Sequence, residues 1–394
     1  MVVLSEQSRV MGAGIASLLL TIGIARFAYT PLLPIMQSQT GLGLAEGGWL
    51  ASGIYLGYLC GAFIAASVKS LATKDLFYRI GLLLAVISSA GMAITENFWL
   101  WMFFRFLAGL SGTAGMLLAS ALILNWRTNR QLRPELGVHF SGVGIGVVFT
   151  ALLVEVVGDL FDWRQQWLLL TAISVVLAFI AWIWLPKPDD NAKAKQATAQ
   201  DSPPSPGFFK LFLVAYFCAG IGYVVSITFI VAIIEELPGL QGLGSWAFMI
   251  MGVAAAPACI LWDIVARHIG YVMTLIWVSV IHVVGILLPV LIPTFTFAFI
   301  GCALFGATFI ALVSLVLTMS GRYFPSRPAK MMGKMTVAYG FAVILGPAVT
   351  GLLAEKTGSY ASGLYFAAAV MSLGCVLFIG LKLLERKEQL AATT

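Results

Sequence analysis

Two arginines stand inside long apolar runs, and they are the residues of this chain best placed to do chemistry. Arg26 lies in Ile22-Gly-Ile-Ala-Arg26-Phe-Ala-Tyr29-Thr30, and Arg105 in Trp101-Met-Phe-Phe-Arg105-Phe-Leu-Ala-Gly109. A guanidinium is always charged and grips a carboxylate or phosphate through two parallel N–H bonds. Placed at the centre of an apolar span it costs about 2.5–3.5 kcal/mol, so it must face protein or a wet cavity. Arg26 therefore reads either as a cationic anchor for an anionic substrate or as an arginine tied to helix carbonyls or an acid. Tyr29 and Thr30, three and four residues on, share its helical face and extend a polar stripe. Arg105 reads equally as cavity lining or as helix packing. Two such cations repel each other, and an anion between them relieves that repulsion. Glu155 is the carboxylate placed to neutralise one of them or to carry a coupling proton; the alternative is a solvated helix end. His139 is a second candidate for proton coupling, or else a hydrogen-bonded helix-end histidine.

The elements that must position these groups follow from composition. Hydrophobic residues make up 60% of the 394 and charged residues 10%, with mean hydropathy +0.97. A soluble domain carries roughly a quarter charged residues, so this surface faces lipid. Apolar runs of about 20 residues cross the hydrocarbon as helices, and their unalternating pattern excludes barrel strands. The spacing predicts twelve spans, near 10–36, 47–68, 76–95, 98–125, 136–158, 165–185, 208–234, 245–262, 271–292, 296–320, 334–354 and 361–382. The expected class is an all-α integral membrane protein.

The net charge of +6 invites a nucleic-acid reading that its distribution opposes. Lys69, Lys74 and Arg79, then Arg127, Arg130 and Arg133, then Arg322, Arg327, Lys330 and Lys334, and last Lys382, Arg386 and Lys387 fall beside alternate connections. That is the positive-inside pattern, and it predicts both termini in the cytoplasm of a multi-pass inner-membrane protein. The expected partners are a small molecule, a proton and membrane lipid, with no nucleic acid. The five cysteines, 60, 218, 259, 302 and 375, show no paired spacing and read as packed small hydrophobes, neither metal ligands nor disulfides. The first apolar stretch is too long for a signal-peptide core and carries an arginine, so it is expected to be retained.

The chain also nearly repeats after about 197 residues: Trp49 falls on Trp246, Gly23 on Gly220 and Gly109 on Gly306. A repeat at this scale predicts two pseudo-symmetric six-helix bundles with a site where the halves meet. The polar, proline-rich stretch 186–207 is the expected cytoplasmic linker between bundles 1–185 and 208–394. In this register Tyr223 is the counterpart of Arg26, so Tyr223 and Ser226 are expected at the cavity from the second half. Tyr339 is a further candidate for cavity lining, or a core tyrosine.

Twelve spans in six plus six, a central linker, Arg26-Phe-Ala-Tyr-Thr-Pro-Leu-Leu-Pro34 and Gly137-Val-His-Phe-Ser-Gly-Val-Gly144 together resemble the major facilitator superfamily, in its YbfB/YjiJ-type bacterial branch. The resemblance implies alternating access by a monomer with no cofactor. It also implies that Arg105, followed four residues later by Gly109, matches a fourth-helix motif associated with proton transfer, although the first span lacks the usual acid. Trp262-Asp263-Ile-Val-Ala-Arg267-His-Ile-Gly270 is similar to the superfamily's loop motif, which implies a gating role for Asp263 and Arg267. The first-half loop, Lys69 to Arg79, keeps basic residues without the Gly-x-x-x-Asp core. His282 on the ninth span is expected to be structural, because that helix faces away from the cavity in this family.

The function expected on these grounds is secondary transport of a small, carboxylate-like organic anion, coupled to protons and more consistent with symport. The alternative is proton-coupled efflux of lipophilic or amphiphilic compounds. No Walker A pattern is present, which leaves direct ATP drive unsupported. No nucleophile–base pair or metal-ligand spacing points to an enzyme.

Overall fold

A computed structural model describes residues 5–132, 136–188, 204–323 and 328–393. Most of the expected linker, together with Arg133 and Arg327, lies outside them. Among the described residues twelve helices are long and apolar enough to cross a membrane. They are α1 (Glu6–Thr40), α2 (Leu44–Ser67), α3 (Leu71–Ile94), α4 (Phe98–Arg127), α5 (Val138–Val157), α6 (Trp163–Trp184), α7 (Pro206–Glu236), α8 (Gly244–Ile269), α9 (Tyr271–Leu291), α10 (Phe295–Met319), α11 (Lys334–Thr357) and α12 (Ala361–Glu388). The chain divides into two compact units, Met1–Ala194 and Lys195–Thr394.

Local chemistry sets the helix ends. Ser70 and Asn97 accept from the free amides that open α3 and α4, and Asp162 with Gln165 closes a reciprocal capping box on α6. Such caps satisfy backbone donors that would otherwise enter the interface unpaired.

The two units use the same pairings. In the first, α2 packs on α4, α1 on α5 and α3 on α6; in the second, α8 packs on α10, α7 on α11 and α9 on α12. Side chains absent from matched positions explain how. A Cβ on Gly109 would collide with the Ile54 carbonyl, and a Cβ on Gly306 would collide with the Met251 carbonyl. These are the same contact one repeat apart, and both bring backbones together where lipid offers no hydrophobic drive. The α1–α5 crossing repeats too: Gly23 meets Gly146, and Gly220 meets Ala342. The most apolar windows of α1 and α7 are 78% and 94% buried, against 22% for α6, so the counterpart helices carrying Arg26 and Tyr223 are the inner ones. Phe63, Ile87, Phe179, Ile260 and Val376 stand exposed on the outside, where lipid would meet them.

Candidate functional site

In the first unit the site is built around an irregularity in α1. Its residues Leu19–Phe27 wind as a π-helix, and the Ala28 amide donates to the Gly23 carbonyl, five residues back, at 3.0 Å. Hydroxyls feed this distortion: Ser17 donates to the Gly14 carbonyl and Thr21 to the Ser17 carbonyl, each at 2.8 Å. Such back-bonds compete with the regular ladder. A second π-helical turn, Ala114–Ala119 in α4, faces the first, since a Cβ on Gly115 would meet Thr21 Oγ1. π turns recur at functional sites.

Arg26 is at the end of the α1 distortion and is partly exposed. Its guanidinium lies 4.6 Å from the ring of Tyr55, 5.1 Å from Phe27 and 5.9 Å from Tyr58. Ring faces are electron-rich and attract a cation. Arg105 is different: it is 2% exposed. It donates through Nε to the Leu50 carbonyl and through Nη1 to the Ala25 carbonyl, both at 3.3 Å, and its guanidinium lies 4.1 Å from the Tyr29 ring. Tyr29 is itself buried and donates to the Gly47 carbonyl at 3.0 Å. Arg105 thus ties α4 to α1 and α2, and Tyr29 faces Arg105. Thr30 is also buried.

His139 is fully buried near the start of α5. Its Nε2 is 3.0 Å from Ser120 Oγ, whose own proton goes to the Met116 carbonyl at 2.7 Å. Its Nδ1 is buried against Gly14. Glu155 is half-buried in the last turn of α5.

In the second unit the structure joins predicted residues to others that sequence reading passed over. Tyr223 is buried on α7, and Tyr339 is half-buried on α11. Ring centroids run Tyr216 to Tyr339 at 4.7 Å, Tyr339 to Tyr223 at 6.0 Å, Tyr223 to Phe309 at 5.4 Å, Phe309 to Phe305 at 5.5 Å, and Phe305 to His282 at 4.6 Å. Most of these rings stack nearly parallel, forming one ladder across α7, α11, α10 and α9. His282 Nδ1 closes it at 2.8 Å from Thr308 Oγ1. One turn beyond Tyr223, Ser226 is buried and its hydroxyl has no hydrogen-bond partner.

At the end of α8, Asp263 Oδ2 pairs with Arg267 at 2.5 Å, and its Oδ1 accepts from the Tyr271 hydroxyl at 3.3 Å. The first unit holds an acid–base pair that the loop motif does not include. Asp75 Oδ2 accepts from Arg79 Nε at 2.9 Å, and Arg79 also donates to the Trp182 and Leu185 carbonyls at 2.8 and 3.4 Å. The signal was present as an Asp and an Arg four residues apart on one helix. Among the described residues no three His, Cys, Asp or Glu side chains converge to hold a metal ion.

Comparisons with known proteins agree with this architecture. The family model described as "Uncharacterised MFS-type transporter YbfB" matches residues 18–379. Two Bacillus subtilis proteins are similar along nearly the whole length. The MFS-type transporter YceJ is 24% identical, covering 92% of this chain and 94% of that protein. A hexuronate transporter is 20% identical, covering 90% of each. Among solved structures, the nucleoside transporter NupG superposes with a TM-score of 0.72 at 15% identity, covering 95% of this chain and 98% of that one. A bacterial homolog of the human lysosomal transporter Spinster, inward-facing, superposes with a TM-score of 0.69 at 16% identity, covering 96% of each chain. These solved structures establish the fold, and the match over residues 18–379 establishes the family. The protein is a multi-pass membrane transporter of small molecules, not an enzyme, and it belongs to the major facilitator superfamily in the family of YbfB-type MFS transporters.

Proposed function

We propose that this transporter carries a small organic anion, coupled to protons, across the inner membrane of a bacterium, with both termini in the cytoplasm. The observation that carries the reading is Arg26: a partly exposed guanidinium inside the membrane, collared by Tyr55, Phe27 and Tyr58. A carboxylate can displace water from such a cation and bind it bidentately. The relative named a hexuronate transporter supports the same class, since hexuronates are sugar carboxylates. Tyr29, Thr30 and Arg105 would then shape the surroundings of Arg26 in the first unit. Tyr223, Ser226 and Tyr339 are the proposed substrate contacts of the second unit. His139 and the carboxylate of Glu155 are the proposed proton carriers, and the Asp263–Arg267 pair is the proposed gate element.

A second reading, efflux of flat lipophilic compounds, rests on the ring ladder, whose Tyr223–Tyr339 portion offers an aromatic wall. The deciding experiment is a thermal-shift screen of hexuronates, other carboxylates and lipophilic dyes against purified protein, repeated with Arg26→Ala. The anion reading expects a carboxylate to raise the melting temperature in wild type and not in the variant. A shift from dyes alone, unchanged by Arg26→Ala, would replace it with the second reading. Accumulation of the carboxylate hit in proteoliposomes under an imposed proton gradient then tests coupling.

A further inference from the structure

A basic cleft of about 200 Å³ opens at the end of the first unit where the lysine- and arginine-rich connections lie. One wall is a helical stripe, for α4 continues as helix to Asn129. Leu122, Asn125, Trp126, Asn129 and Arg130 face the cleft at the three- and four-residue spacing that puts side chains on one side of a helix. The other wall is Pro186-Lys187-Pro188, just beyond α6. Prolines forbid further helix here, and Leu185 before them is extended. Arg79 anchors this wall from α3 by donating to the Trp182 and Leu185 carbonyls.

The chemistry of the cleft suits a phosphate. Lys187 and Arg130 stand on opposite walls, and Asn125 and Asn129 also line the cleft, the Asn129 amide donating to Asn125 Oδ1 at 3.5 Å. Arg130 is aimed by Trp126, whose ring lies 4.3 Å from the guanidinium, and by Glu6 Oε1 at 2.5 Å; Glu6 also accepts from Trp126 Nε1 at 3.4 Å and offsets the Arg130 charge, so Lys187 supplies the net positive charge of the cleft. The Glu6 bond uses one N–H of the five a guanidinium carries. At about 30 Å³ per water, the volume takes a phosphate with the first carbons of its ester. Basic pockets between membrane helices at the headgroup level bind anionic lipid heads, and tryptophan favours the same depth.

We propose that this cleft binds the phosphate headgroup of an anionic phospholipid. The site holds a lipid beside α4 and α6, and Arg26 does not line it. Its test needs no transported substrate, so it stands or falls separately from the anion reading.

The full-length protein, purified in detergent, is incubated with phosphatidylglycerol, phosphatidylcholine or inorganic phosphate. Retained lipid is counted by native mass spectrometry, and melting temperature is recorded alongside. Wild type is expected to retain phosphatidylglycerol in preference to phosphatidylcholine. Lys187→Glu changes an exposed side chain and is expected to weaken that retention at least about fivefold. Asn129→Leu, which keeps every charge, is expected to weaken it less and in the same direction. Equal phosphatidylglycerol retention by wild type and Lys187→Glu would overturn the proposal. Stabilisation by inorganic phosphate that Lys187→Glu abolishes, with lipid retention unchanged, would also overturn it, by giving the cleft to free phosphate.

Discussion

Arg105 donates to the carbonyl of Ala25 at 3.3 Å, and Ala25 is the residue immediately before Arg26. One buried arginine on α4 therefore holds the backbone from which the other projects. The pair is not two equivalent cations sharing a pocket, for Arg105 is spent on carbonyls of α1 and α2 while Arg26 meets aromatic faces.

Removing the Arg105 side chain should loosen α1 where Arg26 stands. Arg105→Ala leaves the Leu50 and Ala25 carbonyls without this donor, at an expected cost of about 1–3 kcal/mol. Arg105→Lys keeps the charge but not the planar fork, and should recover only part. Thermal unfolding in detergent measures both; a melting temperature unchanged in Arg105→Ala would refute the positioning role.

The matched glycines should fail in the same way in each unit. Gly109→Ala and Gly306→Ala each drive a methyl into a facing carbonyl, and overpacking of this kind costs about 1–3 kcal/mol. Gly207→Ala, where the nearest atom would be Ser205 Oγ at 3.9 Å, should stay within about 0.5 kcal/mol of wild type. Recovery of monodisperse protein by size-exclusion chromatography, with melting curves, distinguishes these outcomes.

Asp75 and Arg79 should behave as a coupled pair. Arg79→Gln withdraws the guanidinium from the Trp182 and Leu185 carbonyls and strands a buried carboxylate. Asp75→Asn together with Arg79→Gln should cost less than the two single changes added, with a coupling of about 0.5–3 kcal/mol. Strict additivity in a double-mutant cycle would contradict the geometry.

Ser226 separates stability from binding. Its buried hydroxyl has no hydrogen-bond partner, so Ser226→Ala should leave the melting temperature equal or slightly higher. The shift produced by a bound substrate should shrink if that hydroxyl meets the ligand, as proposed. A variant that loses stability while keeping its full ligand response would reverse both halves of this expectation.

Much of the fold was legible because lipid imposes a severe rule: backbone groups must be satisfied within each span, so apolar length announces each helix. The repeat carried further, since the offset that pairs Gly109 with Gly306 also pairs Ile54 with Met251, and the structure puts those residues in contact. The arginines were legible as anomalies, but not the destinations of their donors. Carbonyls of other helices decide that for Arg105, and no local pattern encodes them. Phe305 and Phe309 were hidden because a ring in a buried ladder and a ring in lipid look alike in an apolar run. The Asp75–Arg79 pair lies outside the loop motif, because the contact is one turn of helix α3 reaching the end of α6.

The wide winding of α1 between Leu19 and Phe27 stores one surplus residue in a span that remains hydrogen-bonded. Should that surplus migrate, each residue it passes swings by about 100° around the axis, while residues farther off keep their places. Arg26 stands within the stretch the surplus occupies. Such a shift would turn the direction in which Arg26 leaves the helix axis.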